Sequence, residues 1–307
     1  MLALVAAADP PHAQLAEVPD PEPLPNQALV TVKAISLNRG ETRRLSTLAP
    51  GTVTGWDLAG VVTRAAQDGS GPPEGARVVG MMNAGAWVAQ AAVNSDWLAE
   101  LPEGISFEQA STLPVAGLTA LRALERGGYV LGKRVLVTGA SGGVGRFAIQ
   151  LAKLAGAHVT AIARRHEGLE RLGADVTASE IDLEGPLYDV VVDAVGGPVL
   201  GSALRRVKPR GVVVNFASTT DDPVSYPTRE LFGRAPGATL YGLFIFEEIT
   251  RTGTCATDLR RLADLVAEQR LDPQIALTKN WHEAGAAIEA LLDRRVDGKA
   301  VLTVDES

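Results

Sequence analysis

The sequence predicts an α/β protein, with a doubly wound parallel sheet over roughly residues 113–248 and a mostly β region before it. Three observations carry this. Val135 to Ala163 reads as strand, glycine turn, helix, strand. Beyond it, apolar β-branched runs keep alternating with helical periods as far as Phe246. Residues 1 to about 112, by contrast, hold short strands with no helix between them, the pattern of a barrel or sandwich.

In chain order, Met1–Ala8 and Leu15–Val18 read as strands separated by the turn Asp9-Pro10-Pro11. Pro19-Asp-Pro-Glu-Pro-Leu-Pro25 forbids helix and marks an extended crossing. Ala28–Ile35 alternates as a half-buried strand does, and Gly60–Thr63, Arg77–Met81 and Ala86–Val93 are further strands. Ser106 with Gln109 makes a capping box that opens a helix through Ala110, and Pro114–Ala123 is a second helical stretch. After the βαβ unit come the strand Tyr188–Val195, a helix to Val207, the strand Gly211–Ser218 and a strand at Ala238–Phe246. Helices at Thr257–Gln269 and His282–Arg294 and a strand at Lys299–Val304 complete the chain.

The glycine turn is Gly139-Ala140-Ser141-Gly142-Gly143-Val144-Gly145, an A-x-G-x-x-G pattern placed between a strand and a helix start. Such glycines permit the bend, admit a pyrophosphate to the backbone and let helix and strand pack closely, while the helix N-terminus favours phosphate. Two readings are open, a dinucleotide site or a tight βα turn that binds nothing. An NAD site places an acid at the end of the second strand to bond the ribose 2′-OH. Here that strand ends Ala163-Arg164-Arg165-His166, and guanidinium groups fork onto a 2′-phosphate, so NADP(H) is favoured. The competing reading makes Arg164 and Arg165 ordinary solvated charges.

Composition bounds the partners. The chain has 307 residues, enough for two domains, with 46% hydrophobic and 21% charged residues. A net charge of −7 argues against nucleic-acid or anionic-membrane surfaces. No apolar run is long enough to span a bilayer, and the apolar start lacks a basic flank and reads as a strand, so a cytoplasmic location is expected. The single cysteine, Cys255, precludes an intrachain disulfide and a cysteine-rich zinc site.

Six short motifs in order carry a resemblance. Leu37-Asn38-Arg-Gly-Glu41 is similar to LN-x-x-D, and Gly55-Trp-Asp57-Leu-Ala-Gly60-Val to G-x-D-x-A-G-V. Gly75–Gly80, Leu101–Gly104 with Leu113–Ala120, the glycine turn and Gly298-Lys299-Ala-Val follow. The chain resembles the medium-chain dehydrogenase/reductase superfamily, in its zinc-independent quinone oxidoreductase group. The resemblance implies a GroES-like β-barrel catalytic domain at 1–112 and 249–307, with a Rossmann domain at 113–248 and an active site in the cleft between them. Zinc-dependent relatives carry Cys where Asn38 stands and Gly-His-Glu at Gly55-Trp56-Asp57, so no metal site is expected. The implied reaction is hydride transfer from NADPH to a quinone or α,β-unsaturated carbonyl, a small-molecule substrate, in a homodimer paired through the edge of the Rossmann sheet.

For that reaction Asn38 is a candidate donor to the developing oxyanion, or a brace for its loop. Asp57 is a catalytic candidate, or orients the same loop or an arginine such as Arg43. Thr119 by resemblance touches the nicotinamide end; otherwise it is a packing hydroxyl. Gly139, Ser141, Gly142, Gly143 and Val144 are expected at the phosphates, Arg164 and Arg165 at the 2′-phosphate, and Val195, Phe216, Ser218, Leu243, Phe244 and Ile245 along the cofactor. Trp56, Trp87 and Phe107 either wall an apolar pocket or belong to the core. No tyrosine precedes Tyr129, so the proton source is open. A short-chain dehydrogenase fails because Tyr129 and Lys133 precede the glycine turn instead of following it. An enoyl-thioester reductase and a silent NADPH-binding sensor or structural protein stay as alternatives.

Overall fold

Period-two burial turns the N-terminal region into strands. The computed structural model describes residues 1–305, which divide into Met1–Leu118 with the residues from Ile249 onward, and Thr119–Glu248. In the first unit β1 (Leu2–Ala6) pairs antiparallel with β2 (Ala13–Glu17). The long β3 (Gln27–Leu37) buries alternate residues along its first half and every residue from Ala34 through Leu37, and so becomes the middle of a mixed sheet. Its neighbours are β4 (Asp57–Arg64) and β6 (Gln90–Asn94), and β4 continues to β5 (Arg77–Met81) and β7 (Leu98–Glu100). The short helices α1 (Arg39–Arg44) and α2 (Phe107–Ser111) follow β3 and β7, α2 through the Ser106–Gln109 capping box.

A π-helical turn at Leu113–Gly117 leads into α3 (Leu118–Glu125) and the second unit. There β8 (Arg134–Thr138), α4 (Gly143–Leu154) and β9 (His158–Ile162) form the βαβ unit. After β10 (Val176–Ala178) come β11 (Tyr188–Asp193), α5 (Gly197–Arg206), β12 (Val207–Asn215), α6 (Thr228–Arg234), β13 (Thr239–Gly242) and α7 (Ile245–Thr252). All six strands are parallel, in the order β10-β9-β8-β11-β12-β13. Valines and leucines at 135–137 and 190–192 are fully buried between the helical layers, which is why these runs are continuously apolar.

The chain then returns through α8 (Cys255–Ala267), β14 (Ile275–Asn280), α9 (Ala284–Leu292) and β15 (Lys299–Thr303), and β15 lies between β14 and β3. Four expectations change. The strand expected at Ala86–Val93 forms only from Gln90, because Trp87 turns into the core at 0% exposure. The strand expected at Ala238–Phe246 stops at Gly242, and Ile245 opens α7 with Glu247 and Glu248 in its favourable first turn. β12 starts at Val207, earlier than Gly211, with a register shift opposite Tyr188 and Val190. The helix expected at His282–Arg294 begins as a single 3-10 turn at Trp281–Glu283, where the Asn280 side chain caps the His282 N–H.

Candidate functional site

Three loops meet at the C-terminal ends of the second unit's central strands. The order reversal lies between β8 and β11, the place where a doubly wound sheet opens a crevice for ligands. Gly139 leaves β8 at φ +61°, and Gly142 caps α4 in an extended conformation. A Cβ at Gly145 would fall 2.6 Å from the Gly139 carbonyl oxygen and 2.7 Å from Ala140 Cα, so only glycine lets α4 seat on the turn. The first-turn N–H groups of Gly143, Val144 and Gly145 precede any intrahelical acceptor, the arrangement that suits an anion at a helix start. Those residues fit a pyrophosphate.

Asp193, fully buried at the end of β11, ties the crevice together. It accepts hydrogen bonds from the Thr138 hydroxyl, the Asn215 amide at 2.7 Å and the Gly196 N–H at 3.0 Å. The ends of β8, β11 and β12 are thereby fixed to one carboxylate. Next to it, the Thr219 N–H donates to the Val195 carbonyl at 2.9 Å, the Phe216 N–H to the Asp193 carbonyl at 3.1 Å and the Leu243 N–H to the Asn215 carbonyl at 2.8 Å. A Cβ at Gly139 would sit 3.5 Å from Val195 Cγ2. The expected cofactor residues Gly139, Val195, Phe216, Ser218 and Leu243 are therefore brought together at one end of the sheet. Ile245 is buried, whereas Phe244 is 65% exposed and stacks at a tilt on Phe246, 5.4 Å between centroids. Thr119 is buried in α3. Thr138, Asp193 and Asn215 escaped the sequence reading; the signal was a lone acid ending the apolar run Val190–Val192.

Arg164 and Arg165 stand exposed just past β9, with no acid before Glu167. The same loop is anchored at His166, whose Nε2 lies 2.7 Å from the Ala163 carbonyl, and at Glu167, whose carbonyl accepts from Arg146.

The first unit holds a buried polar cluster. Asn38 caps α1, Asp57 starts β4 and Lys299 starts β15; Glu41, in α1, joins them. The Asn38 amide donates to Asp57 Oδ2 at 2.7 Å and to Glu41 Oε1 at 2.9 Å, and its oxygen accepts from Lys299 Nζ at 2.8 Å. Asp57 Oδ1 accepts from the Val115 N–H at 2.9 Å, and Lys299 Nζ lies 3.7 Å from Asp57 Oδ2. The cation beside Asp57 is Lys299, in place of the Arg43 suggested by sequence. Both hydrogens of the Asn38 amide are engaged, so donation to a substrate oxygen would require one of these bonds to be given up.

Burial pushes the Glu41 carboxyl well above its ordinary range, and the facing Asp57 charge adds to this. Burial also raises Asp57, against the pull of Lys299 and the bonds from Asn38 and Val115. Lys299 is lowered by burial and supported by both acids. Geometry agrees: both Asp57 oxygens accept, whereas Glu41 Oε2 is buried without a partner, as fits a protonated oxygen. Trp87 is core, Trp56 covers Gly40, and Phe107 lies under the Arg77 guanidinium at 4.7 Å. Among the described residues no group of three His, Cys, Asp or Glu side chains could hold a metal ion.

Residues 143–266 match the family described as zinc-binding dehydrogenase. The chain is 32% identical over 244 residues to the trans-enoyl reductase tazE of Aspergillus terreus, covering 71% of this chain and 76% of that one. It belongs to the medium-chain dehydrogenase/reductase superfamily. Within the superfamily it falls in the zinc-independent quinone oxidoreductase-like group: it is 36% identical to a chloroplast envelope quinone oxidoreductase homolog of Arabidopsis thaliana, over 70% of this chain and 73% of that one. The Escherichia coli quinone oxidoreductase complexed with NADPH superposes with a TM-score of 0.85 at 25% identity, covering 99% of this chain and 100% of that one. A spectinabilin polyketide synthase system protein of Streptomyces orinoci is 31% identical over 91% of this chain, which spans 13% of that protein's length. The group's two-part architecture, a Rossmann-like parallel sheet and a separate GroES-like β unit, is the one described above.

Proposed function

We propose that the protein is an NADPH-dependent oxidoreductase that delivers hydride to a quinone or an α,β-unsaturated carbonyl. The observation that carries this is the convergence of the glycine turn, Val195, Phe216, Ser218 and Leu243 at the crevice between β8 and β11, on a chain similar to an NADPH-bound quinone oxidoreductase. The bound nicotinamide would supply the hydride. This chain's own residues hold and orient it: Gly142, Gly143 and Val144 at the pyrophosphate, and Arg164 and Arg165 at the 2′-phosphate. Thr119 is assigned to the nicotinamide end, Ser141 to the phosphates, and Ser218, Leu243, Phe244 and Ile245 to the cofactor's far side. Asn38 and Asp57 are assigned to the substrate side, where they brace the loop; Asn38 would donate to a carbonyl oxygen by giving up its bond to Asp57 or Glu41. We place the protein in the cytoplasm, as a homodimer.

A second reading is favoured by the tazE similarity, namely reduction of an enoyl thioester by the same hydride chemistry. The test is loss of NADPH absorbance against 1,4-benzoquinone, 9,10-phenanthrenequinone, an alkenal, an alkenone and crotonyl-CoA, with NADH in parallel and with chelator present or absent. Turnover with NADPH and indifference to chelator is the expected result, and the preferred acceptor separates the two readings. Tight NADPH binding with no turnover on any acceptor would replace both with a sensor or structural role. Preference for NADH would remove the assignment of Arg164 and Arg165.

A further inference from the structure

Arg146 has a place in the second unit that the reading above does not use. It follows Gly145 at the end of the first turn of α4 and is only 7% exposed. A cation there opposes the helix dipole, and burial adds to the cost, so its position needs a compensating contact. The guanidinium supplies one on each side. Nε donates to the Ser141 carbonyl in the glycine turn at 3.0 Å, and Nη2 reaches the Glu167 carbonyl at 3.5 Å, past the end of β9. Gly168, at φ +78°, passes beside the guanidinium, where a Cβ would lie 3.9 Å from Nη1. One planar group thus bridges the loop assigned to the pyrophosphate and the loop that carries Arg164 and Arg165.

We propose that Arg146 is a positioning residue for cofactor choice: by spanning Ser141 and Glu167 it sets the Arg164 loop at the distance from the glycine turn that a 2′-phosphorylated dinucleotide requires. The inference rests on the NADP(H) reading. Arg146 touches no reacting atom; it acts through the loop. The planar fork holds both carbonyls at a fixed spacing, whereas a lysine ammonium is a point charge on a flexible stem and sets no such spacing.

The test is the ratio of dissociation constants for NADH and NADPH, titrated by nucleotide fluorescence with the intact protein. Arg146→Met is expected to lower the ratio about tenfold while NADH binding changes little, and Arg146→Lys to lower it as well. On an Arg164→Ala background the Arg146→Met change is expected to add little, because both act on the same phosphate contact. An unchanged ratio in Arg146→Met, with both nucleotides weakened alike, would reduce Arg146 to a structural residue and overturn the proposal. Full preference in Arg146→Lys would also overturn it, since charge alone would then suffice. A wild-type protein without NADPH preference would instead bring down the cofactor reading itself, a separate and visible failure.

Discussion

Glu41, Asp57 and Lys299 share one proton fewer than their number of ionisable sites, and the bonds say where it sits. Asp57 and Lys299 form the charged pair, while Glu41 keeps its proton on the unpartnered Oε2. The consequence has a sign. Between the ordinary carboxylate range and the raised native value, folded Glu41 binds a proton that the unfolded chain has lost, so stability declines as pH rises through that window. Glu41→Gln keeps the neutral group and the acceptor for Asn38. It is expected to cost less than about 1 kcal/mol at neutral pH and to remove Glu41's share of the decline, read from urea midpoints across pH. Lys299→Met leaves Asp57 buried without its cation and is expected to cost about 3–5 kcal/mol in the same measurement. An equal loss in both variants would show the proton to be elsewhere. The sequence named Asn38 and Asp57 but not their true neighbours. Lys299 is far away in the chain, and only the pairing of β15 with β3 brings it to Asn38.

Among elements, the βαβ unit shows what local pattern can and cannot convey. Its strands and helix fall within a residue or two of the reading because glycines and apolar period act locally. Elements without either signal were not legible: α1 lies in the polar run Arg39-Gly-Glu-Thr-Arg-Arg44, and β10 and β14 have half-exposed edge patterns. Trp87 reads as strand because aromatic residues favour strands, yet packing against the core decides its path. At the glycine turn the decisive contact is Gly145 against the backbone of Gly139 and Ala140. Backbone cannot move aside as a side chain can, so Gly145→Ala is expected to cost about 2–3 kcal/mol and to weaken NADPH binding at least about tenfold. Thermal unfolding with and without nucleotide checks both. Unaltered binding would mean the helix start does not shape the phosphate site.

For the whole molecule, the alternation of helix and strand made the second unit readable and the run of short strands marked the first as β, whereas the return of the C-terminal segment to that first sheet could be placed only by resemblance. Its mixed pairing, antiparallel except where β14 meets β15, has no short-range signature. The proposed dimer belongs to this scale. Among the described residues β13 ends the sheet order, with its own Leu240 52% exposed, and an open strand edge of this kind invites pairing with a second copy. The expected outcome is a dimer by light scattering that Leu240→Lys converts to monomer, because opposed lysines would meet across the new strand pair. A wild-type monomer would discard the edge assignment.

The seating of β15 against β3 also orders events in time. During synthesis Thr119–Glu248 emerges as one uninterrupted stretch and can close its own sheet at once. The earlier residues cannot. One edge of β3 waits, with Asn38 and Asp57 lacking their cation, until Lys299 to Thr303 leave the ribosome. The β3 edge is thus completed only by residues made 261 positions after Asn38, and the nascent chain carries an open strand throughout that interval.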